Sequence, residues 1–184
     1  MIDVVLPKNN EEEFVVMSQK LGIKLLFLYP EEKKNSCLLT HNVLLRSSVP
    51  TFYAGEDIRK ALESPGIHVV YNSECSPKKD SLHYRNSGLN QVLCAIAKKK
   101  NKIIAFNIGS LLNSSKQEQA VLFGRMQQNI MLCKKYKVII SLTSFAESPY
   151  HLIAPSEMES VGVLLGLQVD QARISLDTLS YLSN

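Results

Sequence analysis

The sequence predicts an α/β fold of about seven strands with flanking helices, and three observations predict it. Residues 102–106 and 138–142 are short apolar runs bounded by polar residues, the pattern of strands buried on both faces. Residues 88–99 and 114–136, which precede those runs, carry apolar side chains at helical spacing: Leu89, Val92, Leu93, Ile96 and Ala97 in one, Leu122, Met126, Ile130 and Cys133 in the other. Strands that alternate with helices imply parallel pairing through right-handed crossovers. A closed or nearly closed barrel and an open parallel sheet both accommodate this pattern.

In chain order, residues 2–6 form a first strand, stopped by Pro7. Asn10 caps a helix that opens on Glu11, Glu12 and Glu13, acids suited to the positive end of its dipole, and Gly22 ends it. Residues 23–28 are a second strand. Residues 37–45 are apolar around His41-Asn42 and are assigned to a strand, followed by a short one at 51–53 and a helix from Gly55 to Glu63. Residues 67–71 are rich in β-formers. Residues 80–82 are a candidate eighth strand ahead of the polar loop His83–Ser87. After Ala146 a loop leads to Pro155, which fits the first turn of a helix running to Leu167. A short helix around Asp170 to Ser175 and a polar tail follow.

A chain of 184 residues suits one domain, 1–184. Hydrophobic residues are 45% and charged ones 21%, an ordinary globular mix. The net charge of +4 permits a polyanionic partner without demanding one. Cys37, Cys75, Cys94 and Cys133 form no C-x-x-C pair and fit a reducing, cytoplasmic setting. The N-terminus is too acidic for a signal peptide, and no stretch approaches the roughly 20 apolar residues of a membrane span.

A metal hydrolase needs several His and Asp side chains converging at strand ends. Here His41, His68, His83 and His151 stand singly, and Asp3 is the one polar residue of the first strand. The glycines do not form a phosphate loop, and no serine sits in G-x-S-x-G. The expectation is no catalytic residue, no metal ligand and no cofactor bound by the protein. Basic residues do cluster: Lys78 and Lys79 ahead of Arg85, then Lys98, Lys99, Lys100 and Lys102, then Lys134, Lys135 and Lys137. The last two runs fall at helix C-termini, where cations stabilise the dipole, and phosphate binding is their other use. Tyr84-Arg85, on a loop, pairs an aromatic ring with a guanidinium and suits phosphate or an unstacked base. A salt bridge from Arg85 to Asp80 or Glu147 is the alternative. Asn129, in mid-helix beside Met126 and Ile130, reads as a buried hydrogen-bonding residue.

Four segments resemble the archaeal ribonuclease P protein component 3 family. Ser87-Gly88-Leu89-Asn90-Gln91-Val92-Leu93-Cys94-Ala95-Ile96-Ala97 resembles its SGLN-x-VL-x-K-x-A helix start. Arg125-Met126-Gln127-Gln128-Asn129 with Leu132-Cys133-Lys134-Lys135-Tyr136-Lys137 resembles RM-x-QN-x-x-LC-x-KYK. Thr143-Ser144-Phe145-Ala146 resembles T-S-G-A, and Val161–Leu167 resembles GVLLGM. The resemblance implies a TIM-barrel-like domain related to the polymerase-and-histidinol-phosphatase hydrolases. It implies a subunit that binds the catalytic RNA of ribonuclease P, the particle that removes 5′ leaders from precursor tRNA. Catalysis and magnesium would belong to the RNA. The partners it implies are ribonuclease P RNA, protein component 2 and other subunits, with precursor tRNA in the assembled particle and no membrane. Lys78, Lys79, Tyr84, Arg85, Lys116, Arg125 and Arg173 are the expected RNA contacts. A metal-dependent phosphoesterase on the same barrel is the alternative. The chain departs from the family where residues 153–158 lack both arginines of R-x-P-R-D/E-L, where Phe145 replaces a glycine, and where Gln119 replaces an arginine.

Overall fold

The computed structural model describes residues 1–29, 36–39 and 50–182. Strand β1 (Ile2–Val5) leads through helix α1 (Glu11–Leu21) to β2 (Lys24–Tyr29), which lies parallel to it. Strand β3 (Ser36–Leu39) pairs antiparallel with β2, so the expected strand at 37–45 is present over 36–39, and residues 40–45 lie outside the described ones. Strands β4 (Phe52–Tyr53), β5 (Val69–Tyr71), β6 (Ile103–Asn107) and β7 (Ile139–Thr143) form a second, wholly parallel sheet in that order. A parallel bridge between Val5 and Ala146, with the Leu6 N–H donating to the Ala146 carbonyl at 2.8 Å, seats β1 beside β7.

Helix α2 (Ile58–Glu63) precedes β5, α3 (Gln91–Lys99) precedes β6, and α5 (Lys116–Tyr136) precedes β7. Their caps follow from sequence. Asp57 and Asn90 accept from the N–H groups of Lys60 and Leu93, and Ser115 and Glu118 form a capping box. Gly22 closes α1 in the left-handed conformation, as expected, but Asn10 does not cap it. The Asn10 side chain instead accepts from the Lys8 N–H and donates to the Glu147 carbonyl. Helix α4 (Ile108–Asn113) went unforeseen; Asn107, the last residue of β6, caps it through the Ser110 N–H. Pro155 opens α6 (Pro155–Leu164), and α7 (Val169–Asp177) follows.

The strands bury both faces, in alternation. Ile2 and Val4, Leu26 and Leu28, Val69 and Tyr71, and Ile103 and Ala105 meet in one cluster with Phe52 and Phe145, drawn from both sheets. The Tyr71 and Phe145 rings stack at 4.5 Å. The alternate residues Val70, Ile104, Phe106 and Leu142 pack under the helices against Cys94, Ala97, Met126, Ile130 and Cys133. Val92, placed on that apolar stripe by its spacing, is exposed, because α3 starts at Gln91 and turns Leu93, Cys94 and Ala97 inward. No helix among the described residues is long and apolar enough to cross a membrane.

Candidate nucleic-acid interface

Residues 80–82 are not a strand. They belong to a loop that leaves a short 3₁₀ turn after β5, Ser73–Cys75, and reaches α3. So long a connection has few backbone partners of its own. Helix α5 supplies them. Arg125 is almost wholly buried, and its guanidinium donates to the carbonyls of Glu74 (3.0 Å), Ser76 (2.8 Å) and Lys78 (2.5 Å) and to Asp80 Oδ1 (2.9 Å). Asn129 Nδ2 donates to the Ser87 carbonyl at 2.7 Å and to Ser73 Oγ at 3.3 Å. Gln128 Nε2 reaches Ser87 Oγ at 2.9 Å and the Arg85 carbonyl at 3.3 Å. Inside the loop, Asp80 Oδ1 accepts from the Asn86 N–H, and the Asn86 side chain donates to the Lys79 carbonyl.

Arg125, expected to contact RNA, is thus turned toward the loop. Its donors are spent on the loop, and solvent does not reach its head group. A signal was available: Arg125 lies four residues before Asn129, on the face already read as buried.

The loop presents Lys78, Lys79, Tyr84 and Arg85 outward, all exposed. Lys78, Tyr84 and Arg85 line a groove of about 1140 Å³, with Arg59, Asn90 and Gln128 on its other walls. Both acids proposed as partners for Arg85 are engaged by other cations, Asp80 by Arg125 at 2.8 Å and Glu147 by Lys8 at 2.6 Å. Burial works against ionisation of Asp80, but the hydrogen bonds from Arg125 and Asn86 and the charges of Arg125 and Arg85 hold its pKa below the ordinary value. Lys79 is exposed but does not line the groove. Lys116, in the first turn of α5, is exposed and lines neither the groove nor the smaller pocket beside Arg125. Arg173 on α7 pairs with Glu159 of α6 at 3.1 Å, so the structure does not bring it to the loop.

Other polar residues placed at the strand ends turn inward. Both carboxylate oxygens of buried Asp3 accept from Ser144, one from its N–H (2.7 Å) and one from its hydroxyl (2.6 Å). Burial nonetheless pushes the Asp3 pKa up to about 6. Asn107 Nδ2 donates to Asn72 Oδ1 at 3.0 Å. Glu74, unremarked in the sequence, is fully buried behind the loop; burial raises its pKa to about 7, and its Oε1 has no hydrogen-bond partner. Among the described residues no group of three or more His, Cys, Asp or Glu is placed to hold a metal ion.

No protein-family model matches the chain. Curated proteins named ribonuclease P protein component 3 do: that of Methanosarcina acetivorans is 32% identical over 121 residues, 66% of this chain and 47% of that protein. The Methanococcoides burtonii protein is 36% identical over 118 residues, 64% of this chain and 46% of that protein. The Methanococcus vannielii protein is 30% identical over 138 residues, 72% of this chain and 55% of that protein. The resemblance to the archaeal component 3 family holds, and the chain spans about half the length of the curated relatives it matches. A chain from a cryo-EM structure of archaeal ribonuclease P with mature tRNA superposes with a TM-score of 0.67 over 99% of this chain and 79% of its own, at 17% identity, which establishes a shared fold.

Proposed function

We propose, starting from the relationship to ribonuclease P protein component 3, that this chain is a protein subunit of ribonuclease P and binds its catalytic RNA through the 73–90 loop. One observation carries the proposal beyond the family name. Arg125, Gln128 and Asn129, the polar residues of the RM-x-QN motif, spend their hydrogen bonds holding that loop so that Lys78, Lys79, Tyr84 and Arg85 face solvent. Side chains fixed on a braced loop lose less freedom on binding than side chains on a mobile one. The cations would neutralise phosphates and the tyrosine ring would stack on an unpaired base.

In this reading the protein screens phosphates and steadies the RNA, while the leader of precursor tRNA is cut by the RNA and its magnesium ions. Protein component 2 and the other subunits are its neighbours in the particle. The fold fits a TIM-barrel-like reading: the Val5–Ala146 bridge sets the two sheets edge to edge, and the cluster around Phe52, Tyr71 and Phe145 fills the space a barrel would enclose.

The test is a filter-binding titration of the full chain against a ribonuclease P RNA transcript over a range of salt. Log K should fall linearly with log salt, and affinity should exceed that of an unrelated protein of equal charge. Equal affinity would refute the proposal.

A further inference from the structure

Eight exposed lysines gather at one edge of the fold. Helices α3 and α5 each run back along the parallel sheet, so both end where β6 and β7 begin, and Ile103 and Ile139 at those starts are register partners. The last turn of α3 carries Lys98 and Lys99, with Lys100 as its C-cap. The last turn of α5 carries Lys134 and Lys135, with Lys137 as its C-cap. All six are exposed. Because β1 and β2 run parallel to each other and β1 is bridged in parallel to the chain after β7, Lys20 at the end of α1 and Lys24 at the start of β2 face the same edge, also exposed. Two acids at this edge, Glu63 and Asp177, pair with Arg59 and the Met1 amino group. Lys102, in the middle, is buried and donates to the carbonyls of Ser64 and Ile67. Its ammonium is held below the ordinary pKa by burial and then by the charge of Lys100.

Helix dipoles account for part of this, since cations in a last turn are favourable. The dipoles reach the C-caps Lys100 and Lys137 as well, but they do not explain a lysine at a position whose backbone disfavours it. Lys137 has a left-handed backbone, φ 54°, where glycine would close the helix with less strain.

We propose that this lysine edge is a second RNA-docking surface, contacting phosphates of a stretch of RNA other than the one at the Arg85 groove. The proposal rests on the chain acting on RNA but concerns the opposite end of the strands. Apart from Arg59 and the Met1 amino group, which are paired with acids, the cations named here are all lysines. Protein interfaces are depleted in lysine and anchored by arginine and aromatic residues, whereas phosphates accept lysine as a point charge. Cations at both ends of the strands would let one chain bridge two RNA segments.

The experiment measures binding of the full chain to a ribonuclease P RNA transcript by fluorescence anisotropy at several salt concentrations. The variant Lys98→Gln/Lys99→Gln/Lys100→Gln/Lys135→Gln removes four charges with little change in helix propensity. Its salt slope should drop by about three, affinity at moderate salt should weaken at least about tenfold, and the melting temperature should stay near that of the parent. Lys99→Gln/Lys135→Gln, with a slope lower by about one to two, serves if the fourfold variant does not fold. An unchanged slope in a variant of a parent that binds RNA overturns this inference alone. A parent that binds no better than an equal-charge control overturns it together with the function proposed above. Polyglutamate is the protein-like probe: if the variant loses polyglutamate binding but keeps the parental RNA slope, the edge is a site for acidic protein and the inference falls.

Discussion

The guanidinium of Arg85 lies against the backbone of Gly124 in α5: a Cβ at position 124 would stand 2.7 Å from Arg85 Nε and 2.8 Å from its Cζ. A glycine in the interior of a long helix costs about 1 kcal/mol relative to alanine. Here it provides the shelf on which the Arg85 head group rests. Gly124→Ala should push aside the flexible end of Arg85 rather than the backbone. The expected outcome is a melting temperature raised by a few degrees, with RNA affinity lowered roughly threefold as Arg85 loses its fixed position. Thermal melts and binding titrations on one preparation read both.

Arg85→Ala separates the groove reading from a loop staple. Among the described residues Arg85 makes no ion pair, and Asp80 and Glu147 are paired to Arg125 and Lys8. Its removal should therefore leave the melting temperature nearly unchanged. The salt slope of RNA binding should fall by about one. A parental slope with a lowered melting point would reverse the assignment.

Arg125→Ala should behave in the opposite way. It strands three carbonyls and leaves Asp80 without its cation. The expected loss is about 3 kcal/mol of stability. Arg125→Lys should recover little of it, because one ammonium cannot span acceptors distributed from Glu74 to Asp80. Urea denaturation measures the loss, and faster hydrogen exchange in the 73–90 loop would locate it.

Glu74 and Asp3 make stability fall as pH rises. The folded pKa of Glu74 is about 7 against an ordinary 4.5, so between these values the folded state holds more protons than the unfolded one. Stability contributed by its neutral form is complete below the ordinary value and is lost as pH climbs through about 7. Asp3 acts likewise between 3.8 and about 6. Glu74→Gln cannot ionise, and should flatten the fall in melting temperature between pH 5 and 8, with a gain on the order of 2 kcal/mol at the upper end. A variant whose pH profile parallels the parent's would refute this.

Phe145 has a φ of 45°, a left-handed backbone that glycine adopts with less strain. The ring offsets the strain by stacking on Tyr71 in the core between the sheets. Phe145→Gly should relieve about 1–2 kcal/mol of backbone strain and forfeit about 3–5 kcal/mol of burial, a net loss near 2–3 kcal/mol by denaturation.

The buried face of α5 was legible because Met126, Ile130 and Cys133 repeat at helical spacing, and the parallel strands were legible because their apolar runs are short and bounded by polar residues. Position-specific contacts were not. Nothing in the local pattern says that Arg125 serves carbonyls some 50 residues earlier; only its place on the buried face of α5 points inward. Helix α4 escaped because its six residues show too little periodicity, and its start depends on the Asn107 side chain. Strand β3 pairs antiparallel with β2, Tyr29 opposite Ser36, where the alternation of strands and helices predicts parallel pairing.

The hydrogen bonds between Asp3 and Ser144 span 141 residues of sequence. During synthesis the first strand leaves the ribosome long before its partner exists. At about 5–20 residues per second the wait is about 7–28 seconds. Through that interval β1 and β2 can pair with each other, but the edge of β1 that β7 will cover stays open to other chains. Chaperone demand and aggregation during expression should therefore depend on translation speed between these two positions, more than on the stability of the finished fold.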